Sequence, residues 1–319
     1  MNTAFRDAVE RLRAAGVDNP RLDARVLWEF ALNSNPPLEG GSKFAEQISG
    51  RGTTSAPYPA PKNPSDFSTL PQGEGEVLER FESFVQRRVA REPVAYITGT
   101  KGFWSFDLDV GPGVLVPRPE TETLVESVLA EFPDRAAPLR ILDLGTGTGC
   151  LLLSVLSEYP QAQGTGIDAS PDALGWVRRN AQKFGLADRC TLAAGNWGED
   201  LSDRFDVILS NPPYIRTQDI ASLAPDIRLY EPHAALDGGP DGLDAYRILA
   251  PEIARLLNET GRAFLEIGQD QGPQVAEIMA GAGLGTRKIV TDLAGIGRCA
   301  VVEHGPVTEK TVGSPAPNR

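Results

Sequence analysis

The chain has 319 residues, enough for one large domain with a smaller one or for two modest domains, and its composition is that of a globular protein, 41% hydrophobic and 23% charged. A net charge of -12 with no Lys/Arg cluster argues against broad nucleic-acid binding, where a basic face supplies most of the affinity. Cys150, Cys190 and Cys299, with His233 and His304, fall in no disulfide, metal-ligand or histidine-relay spacing, the start lacks a signal-peptide core, and no apolar run reaches membrane-spanning length; a cytoplasmic, metal-free monomer is expected.

The first stretch reads as helices. Ala4, Val9 and Leu12, then Leu22, Ala24, Val26, Leu27, Phe30 and Ala31, recur at helical spacing, with Asn19-Pro20 as the break. From about residue 40 to 73 the chain turns rich in Pro, Ser, Thr and Gly without any period, which predicts a flexible insertion. Helical spacing returns at Val77, Leu78, Phe81, Phe84, Val85 and Val89. Residues 94–117 alternate apolar and polar positions with glycines between, the pattern of a β-hairpin. Pro119-Glu120-Thr121-Glu122 then opens a helix, with proline and acids in its first turn.

From Leu139 strands and helices alternate: RILDLG, GTGID, CTLAA, FDVILS, AFLEIG, RKIVTD and CAVVEH read as strands, with helices to about Tyr159, at Pro171–Phe184, Tyr246–Leu257 and Gln274–Ala282. Such alternation predicts an α/β fold, a mostly parallel sheet with helices on both faces. The tail, 305–319, carries no pattern and is expected to be disordered.

Asp143-Leu144-Gly145-Thr146-Gly147-Thr148-Gly149 closes the first of these strands. Alternate glycines allow a tight turn and close approach of a ligand to backbone, and the next helix offers its free N–H groups. A dinucleotide loop reads G-x-G-x-x-G, whereas here the third glycine comes one residue early. Asp143 would repel a pyrophosphate but suits the cationic end of an amino-acid ligand. Asp168 ends the next strand, placed to accept the hydroxyls of a ribose. The expected cofactor is therefore S-adenosylmethionine.

The fourth strand ends in Ser210-Asn211-Pro212-Pro213-Tyr214, at the edge where doubly wound sheets bind ligands. The nitrogen of an amide or aromatic NH2 is a poor nucleophile because its lone pair is delocalised. Orientation helps more than a base would: the Asn211 side-chain oxygen and the Pro212 carbonyl can hold both N–H bonds and turn the lone pair toward a methyl donor. Two prolines stiffen the backbone, and Tyr214 can pack on a flat group. The tetrapeptide specifies a planar NH2 nitrogen and leaves glutamine, adenine and guanine open.

Arg91-Glu92-Pro93-Val94-Ala95-Tyr96-Ile97-Thr98-Gly99, Phe103, Phe106 and Val114-Leu115-Val116-Pro117-Arg118-Pro119-Glu120-Thr121-Glu122 resemble the signature of the HemK-type release-factor glutamine N5-methyltransferases. The resemblance runs from the first helices to about His304 and omits the insertion and the tail. It implies a Rossmann-like, seven-stranded methyltransferase domain at 119–304, an N-terminal helical bundle at 1–92 that docks the protein substrate, and a β-hairpin linker at 93–118. It implies methylation of the Gly-Gly-Gln glutamine of class I release factors. It places Gly145, Thr146, Gly147, Thr148, Gly149, Asp168, Trp197 and Asn211 at the cofactor, with Trp197 against the adenine, and Asn211, Pro212, Pro213 and Tyr214 at the glutamine. Glu231-Pro232 and Gly238-Gly239-Pro240-Asp241-Gly242 also resemble the family pattern and read as a turn-rich loop over the substrate pocket. Arg118, Glu120 and Glu122 are either substrate contacts or solvated charges. The competing readings are another protein glutamine, a nucleic-acid base, and a non-catalytic nucleotide binder.

Overall fold

Helical periodicity is realised as helices α1 (Thr3–Ala14), α2 (Pro20–Asn33) and α3 (Glu74–Val89) in a computed structural model that describes residues 3–34 and 74–305. The expected insertion and the tail from residue 306 lie outside the described residues. Leu12, Leu27, Phe81 and Val85 are buried on the facing stripes, as the spacing predicts. Leu22 is exposed instead. Trp28, which the periodic set omits, sits at the centre, its ring edge-on to Phe81 with centroids 4.9 Å apart.

The alternation after Pro93 misleads at its start. Val94–Thr98 is not extended but a short helix, α4, whose Tyr96 and Ile97 N–H groups both donate to the Pro93 carbonyl. Burial of Ile97 in the helical core outweighs the strand preference of a β-branched residue. The chain divides into two compact units between Thr98 and Gly99. The stretch expected as a linker therefore splits: α4 closes the helical unit, and the hairpin belongs to the second unit.

That hairpin, β1 (Thr100–Phe103) and β2 (Phe106–Asp109), packs on α7 (Pro171–Lys183). Phe106 stacks on Phe184 with centroids 4.1 Å apart. The fully buried Asn180 accepts the Asp109 N–H at 2.8 Å and donates to the Asp109 carbonyl at 3.0 Å. Glu122, one of the charges left open by the sequence, accepts the Trp104 N–H at the hairpin turn (2.8 Å).

The remaining strands are β3 (Arg140–Leu144), β4 (Gln163–Asp168), β5 (Cys190–Ala194), β6 (Phe205–Ser210), β7 (Leu257–Glu266), β8 (Leu284–Thr291) and β9 (Gly297–His304). They form one sheet in the order β5-β4-β3-β6-β7-β9-β8, parallel except for β9, which is antiparallel to both neighbours. Alternate residues face opposite layers. Leu142, Leu144, Ile208 and Leu265 meet Tyr246, Leu249 and Ile253 of α9 (Asp244–Leu256) and Met279 of α10 (Gly272–Gly281). On the other face α5 (Glu122–Glu131) leads into Phe132, whose ring meets Phe264, and α6 (Cys150–Glu158) packs on β3 and β4. Strand order reverses between β3 and β6, so the loops after these adjacent strands flank the topological switch point where such sheets bind ligands.

Candidate active site

One cavity of about 520 Å³ opens at that point, lined by Gly145, Thr146, Gly147, Thr148, Asp168, Trp197, Asn211 and Pro213 among others. Three sequence-derived site residues do not line it. Gly149 lies beneath as the N-cap of α6, Pro212 is buried, and Tyr214 stands behind the tetrapeptide, packed against the core.

The glycine turn is left-handed at Gly145, Gly147 and Gly149 (φ 77°, 55° and 81°). At Gly149 a Cβ would also lie 2.5 Å from Val177, so α7 could not pack there against any side chain. The turn is pinned to β4: Gly145 and Thr146 donate to the Ile167 carbonyl at 2.9 and 3.0 Å. Asp168 accepts the Gly147 N–H through Oδ2 (2.8 Å) and the Ser170 N–H through Oδ1 (2.9 Å). It is thus a strap for the loop as well as an acid at the cavity wall. Asn180 adds a third tie, donating to the Thr148 carbonyl at 2.9 Å.

Asp143 forms the cavity floor. Its Oδ2 accepts the Thr146 hydroxyl at 2.7 Å, while its Oδ1 is buried with no hydrogen-bond partner among the described residues. Burial pushes this carboxyl up to about 7; the Thr146 hydrogen bond opposes the rise and the Asp168 charge adds to it. A buried acceptor without a partner beside a glycine-walled cavity calls for a cationic ligand group. The cavity therefore fits S-adenosylmethionine on three counts: the orphaned carboxylate oxygen for an ammonium, a turn with glycine at every second position, and Asp168 at the strand end with spare lone pairs.

At the opposite wall, Ser210 donates to the Leu144 carbonyl at 2.7 Å, joining the ends of β6 and β3. Asn211 Nδ2 donates to Thr121 Oγ1 (3.3 Å), and the Thr121 hydroxyl donates to Glu266 Oε2 (2.6 Å). Tyr214 donates its hydroxyl to the other oxygen of Glu266 (3.1 Å). Burial, reinforced by the Glu266 charge, raises the Tyr214 phenol, so it keeps its proton. Read from the sequence, neither Thr121 nor Glu266 carries a site role, although Thr121 stands within the Pro-Glu-Thr-Glu motif. The signal for Glu266 was a lone acid at the end of an apolar strand; Thr121 sat between the two glutamates that drew attention.

The Gly-Gly-Pro-Asp-Gly segment does not cover the cavity, as expected of it, but stands behind the tetrapeptide. A Cβ on Gly238 would lie 2.8 Å from the Pro213 carbonyl, and Ile215 pairs with Asp237 in a parallel bridge. Gln271 donates to the Tyr214 and Gly242 carbonyls, both at 3.1 Å. The Glu231-Pro232 part does reach the cavity through Pro232, Ala234 and Ala235. Arg118 is neither free nor fully solvated: it pairs with the buried Glu231 at 2.6 Å, which also accepts the Val116 N–H at 3.3 Å. Burial raises the Glu231 carboxyl and Arg118 opposes the rise. Glu120 is exposed.

A seven-stranded sheet with one antiparallel strand, a glycine turn after its first strand and an amide-bearing tetrapeptide after its fourth define the class of Rossmann-like, S-adenosylmethionine-dependent methyltransferases. Residues 136–282 match the family model of a methyltransferase domain, and residues 3–37 and 67–99 match that of the PrmC N-terminal domain. The chain is 42% identical over 294 residues to the release factor glutamine methyltransferase of Caulobacter vibrioides, covering 91% of this chain and 92% of that protein. To the release factor glutamine methyltransferase of Rhodospirillum rubrum it is 42% identical over 294 residues, covering 92% of this chain and 82% of that one. The chain belongs to the release factor glutamine methyltransferase family. Among solved structures, the hMettl16 catalytic domain in complex with the MAT2A 3'UTR hairpin 6 superposes with a TM-score of 0.50 at 15% identity, covering 66% of this chain and 79% of that one, a likeness of fold alone.

Proposed function

We propose that this enzyme methylates the side-chain amide nitrogen of the Gly-Gly-Gln glutamine in class I release factors. The observation that carries the reading is the placement of Asn211, with its amide nitrogen turned to Thr121, on the wall opposite the glycine turn. When bound, S-adenosylmethionine supplies a methyl group on a cationic sulfur. Asp143 and the Gly145–Gly149 turn hold the amino-acid end, Asp168 the ribose, and Trp197 the adenine. Asn211 Oδ1 and the Pro212 carbonyl take the two N–H bonds of the target amide and fix the direction of its lone pair. The proline ring at Pro213 lines the cavity and Tyr214 backs it, so the substrate plane meets rigid surfaces. Pro212 is buried and outside the cavity lining, so the role proposed for it rests on its backbone carbonyl alone.

The helical unit is assigned to docking the release factor, in the cytoplasm, with no stable nucleic-acid or membrane binding and with the enzyme acting as a monomer. Among the described residues no helix is long and apolar enough to cross a membrane. The test is transfer of labelled methyl to a purified release factor, beside one whose Gly-Gly-Gln glutamine is replaced. Label on the intact factor alone supports the reading. Label on neither, with cofactor binding intact, overturns the substrate assignment and leaves the methyltransferase.

A further inference from the structure

The Asn211 amide has two ends of similar shape and opposite polarity, and only one of them can accept the N–H bonds of a substrate. Nothing local to Asn211 decides which end faces the cavity. The decision is made two residues away in space. Glu266, at the end of β7 and 2% exposed, receives the Thr121 hydroxyl on Oε2 and the Tyr214 hydroxyl on Oε1. Burial raises the Glu266 carboxyl, and the hydroxyls of Thr121 and Tyr214 with the Arg298 charge oppose the rise; in the ionised form that those donors favour, it is an acceptor only. Its partner Thr121, itself 1% exposed, must spend its one O–H proton on Glu266 and so turns a lone pair toward Asn211. Only the NH2 end of the asparagine can meet a lone pair. The NH2 end stands 3.3 Å away, and the oxygen is left for the cavity. Glu266 also holds the far end of the tetrapeptide through Tyr214, and its backbone carbonyl accepts the Tyr246 hydroxyl at 2.7 Å, which seats the strand end on α9.

We infer that Glu266 and Thr121 are positioning residues for methyl transfer, a polarity relay that fixes Asn211 with its oxygen toward the substrate amide. This deepens the proposed reaction and rests on it. Glu266 does not line the cavity and Thr121 reaches its wall beside Asn211, and the role assigned to both is exercised through Asn211. A hydroxyl is required at residue 121 and an acceptor-only group at residue 266, whereas a purely packing role would be met by any side chain of the same volume.

The experiment compares Thr121→Val, Thr121→Ser and Glu266→Gln with the wild type, each checked by thermal unfolding. Thr121→Val keeps the volume and removes the hydroxyl. It should lower kcat at saturating cofactor on a release factor by roughly 30-fold, less than the ~10²–10³-fold for losing a group that itself meets the transition state, because the effect is relayed through Asn211. KM for the factor and Kd for S-adenosylhomocysteine should stay within about threefold, since the lost interaction belongs to the transition state. Thr121→Ser restores the hydroxyl and should recover most of the rate. Glu266→Gln, which keeps shape and hydrogen bonding but can donate, guards against a Thr121→Val chain that does not fold and should also lower kcat without lowering the unfolding temperature. A second readout needs no turnover: in 15N-asparagine-labelled enzyme the Asn211 side-chain amide should be protected from hydrogen exchange in the wild type and in Thr121→Ser, and unprotected in Thr121→Val. If Thr121→Val folds, turns over at the wild-type rate and leaves Asn211 protected, the relay is wrong. If the wild type itself fails to label the release factor, the substrate reading falls, and the Asn211 exchange pattern still decides the relay.

Discussion

The two loops that meet in the cavity are held by different means. The glycine turn is secured by its own neighbourhood: the Ile167 carbonyl, Asp168, Thr146 to Asp143, and Asn180, all between β3 and α7. The tetrapeptide after β6 is secured from afar: Asn211 by Thr121, 90 residues away, Tyr214 by Glu266, 52 away, and the Tyr214 carbonyl by Gln271, 57 away. A cofactor loop can be a self-contained βαβ device because its ligand is grasped by backbone and helix end. A loop that must aim one side-chain atom within a fraction of an ångström needs supports from several directions, as reacting geometry requires.

The comparison predicts that damage to the tetrapeptide strikes the rate and damage to the glycine turn strikes cofactor affinity and stability. The largest effect is expected for Asn211→Ala, about 10³-fold in kcat by analogy with removal of a pre-aimed transition-state contact, with cofactor affinity nearly kept. Turnover within tenfold of wild type would remove the acceptor role from Asn211. Next comes Asn180→Ala, which strands the Thr148 carbonyl and both backbone groups of Asp109. It should lower unfolding free energy by about 2–4 kcal/mol, the sum over buried groups left unpaired, and weaken cofactor binding at the same time. Urea unfolding and calorimetric titration check both, and a stability loss without an affinity loss would uncouple the hairpin from the glycine turn. Asp168→Ala should weaken cofactor binding by about 1–3 kcal/mol, with kcat at saturation little changed. Unchanged affinity would move the ribose contact elsewhere and leave Asp168 as the strap of Gly147 alone.

The same contrast explains what the sequence disclosed. The alternation of strand and helix, the position of the switch point and the glycine turn are local signals, and seven strands fall where the apolar runs put them. Residues such as Gly149, fixed by a positive φ and by Val177, announce themselves through type and spacing. Thr121 and Glu266 do not. Their meaning is a hydrogen bond across 145 residues, and no periodicity encodes it. Arg118 was visible as a charge but not as the partner of Glu231, and the α4 helix was hidden because Val94 and Ile97 carry a strand preference that core burial overrules. The glycines at 238 and 242 were visible as turn formers, yet their purpose is close approach to Pro213 and Tyr214 from behind.

The smallest effect, and the sharpest test of the glycine-turn side, is a pH dependence carried by Asp143. Burial holds its carboxyl at about 7, against about 3.9 for an unfolded aspartate. A raised folded value means that its contribution to ligand-free stability is fully present below about pH 4 and is lost as the pH climbs through 7. Cofactor affinity should run the other way. The ammonium of the ligand pairs with the ionised form, so below pH 7 a proton must leave before binding, and affinity should fall by up to about tenfold for each unit of further acidification. Calorimetric titration with S-adenosylhomocysteine from pH 6 to pH 8 reads the slope, and Asp143→Asn should flatten it while removing the loss of ligand-free stability between about pH 4 and pH 7. A wild-type affinity constant across that window would mean that the ammonium is met by some other group, and that the orphaned oxygen of Asp143 has a purpose apart from the cofactor.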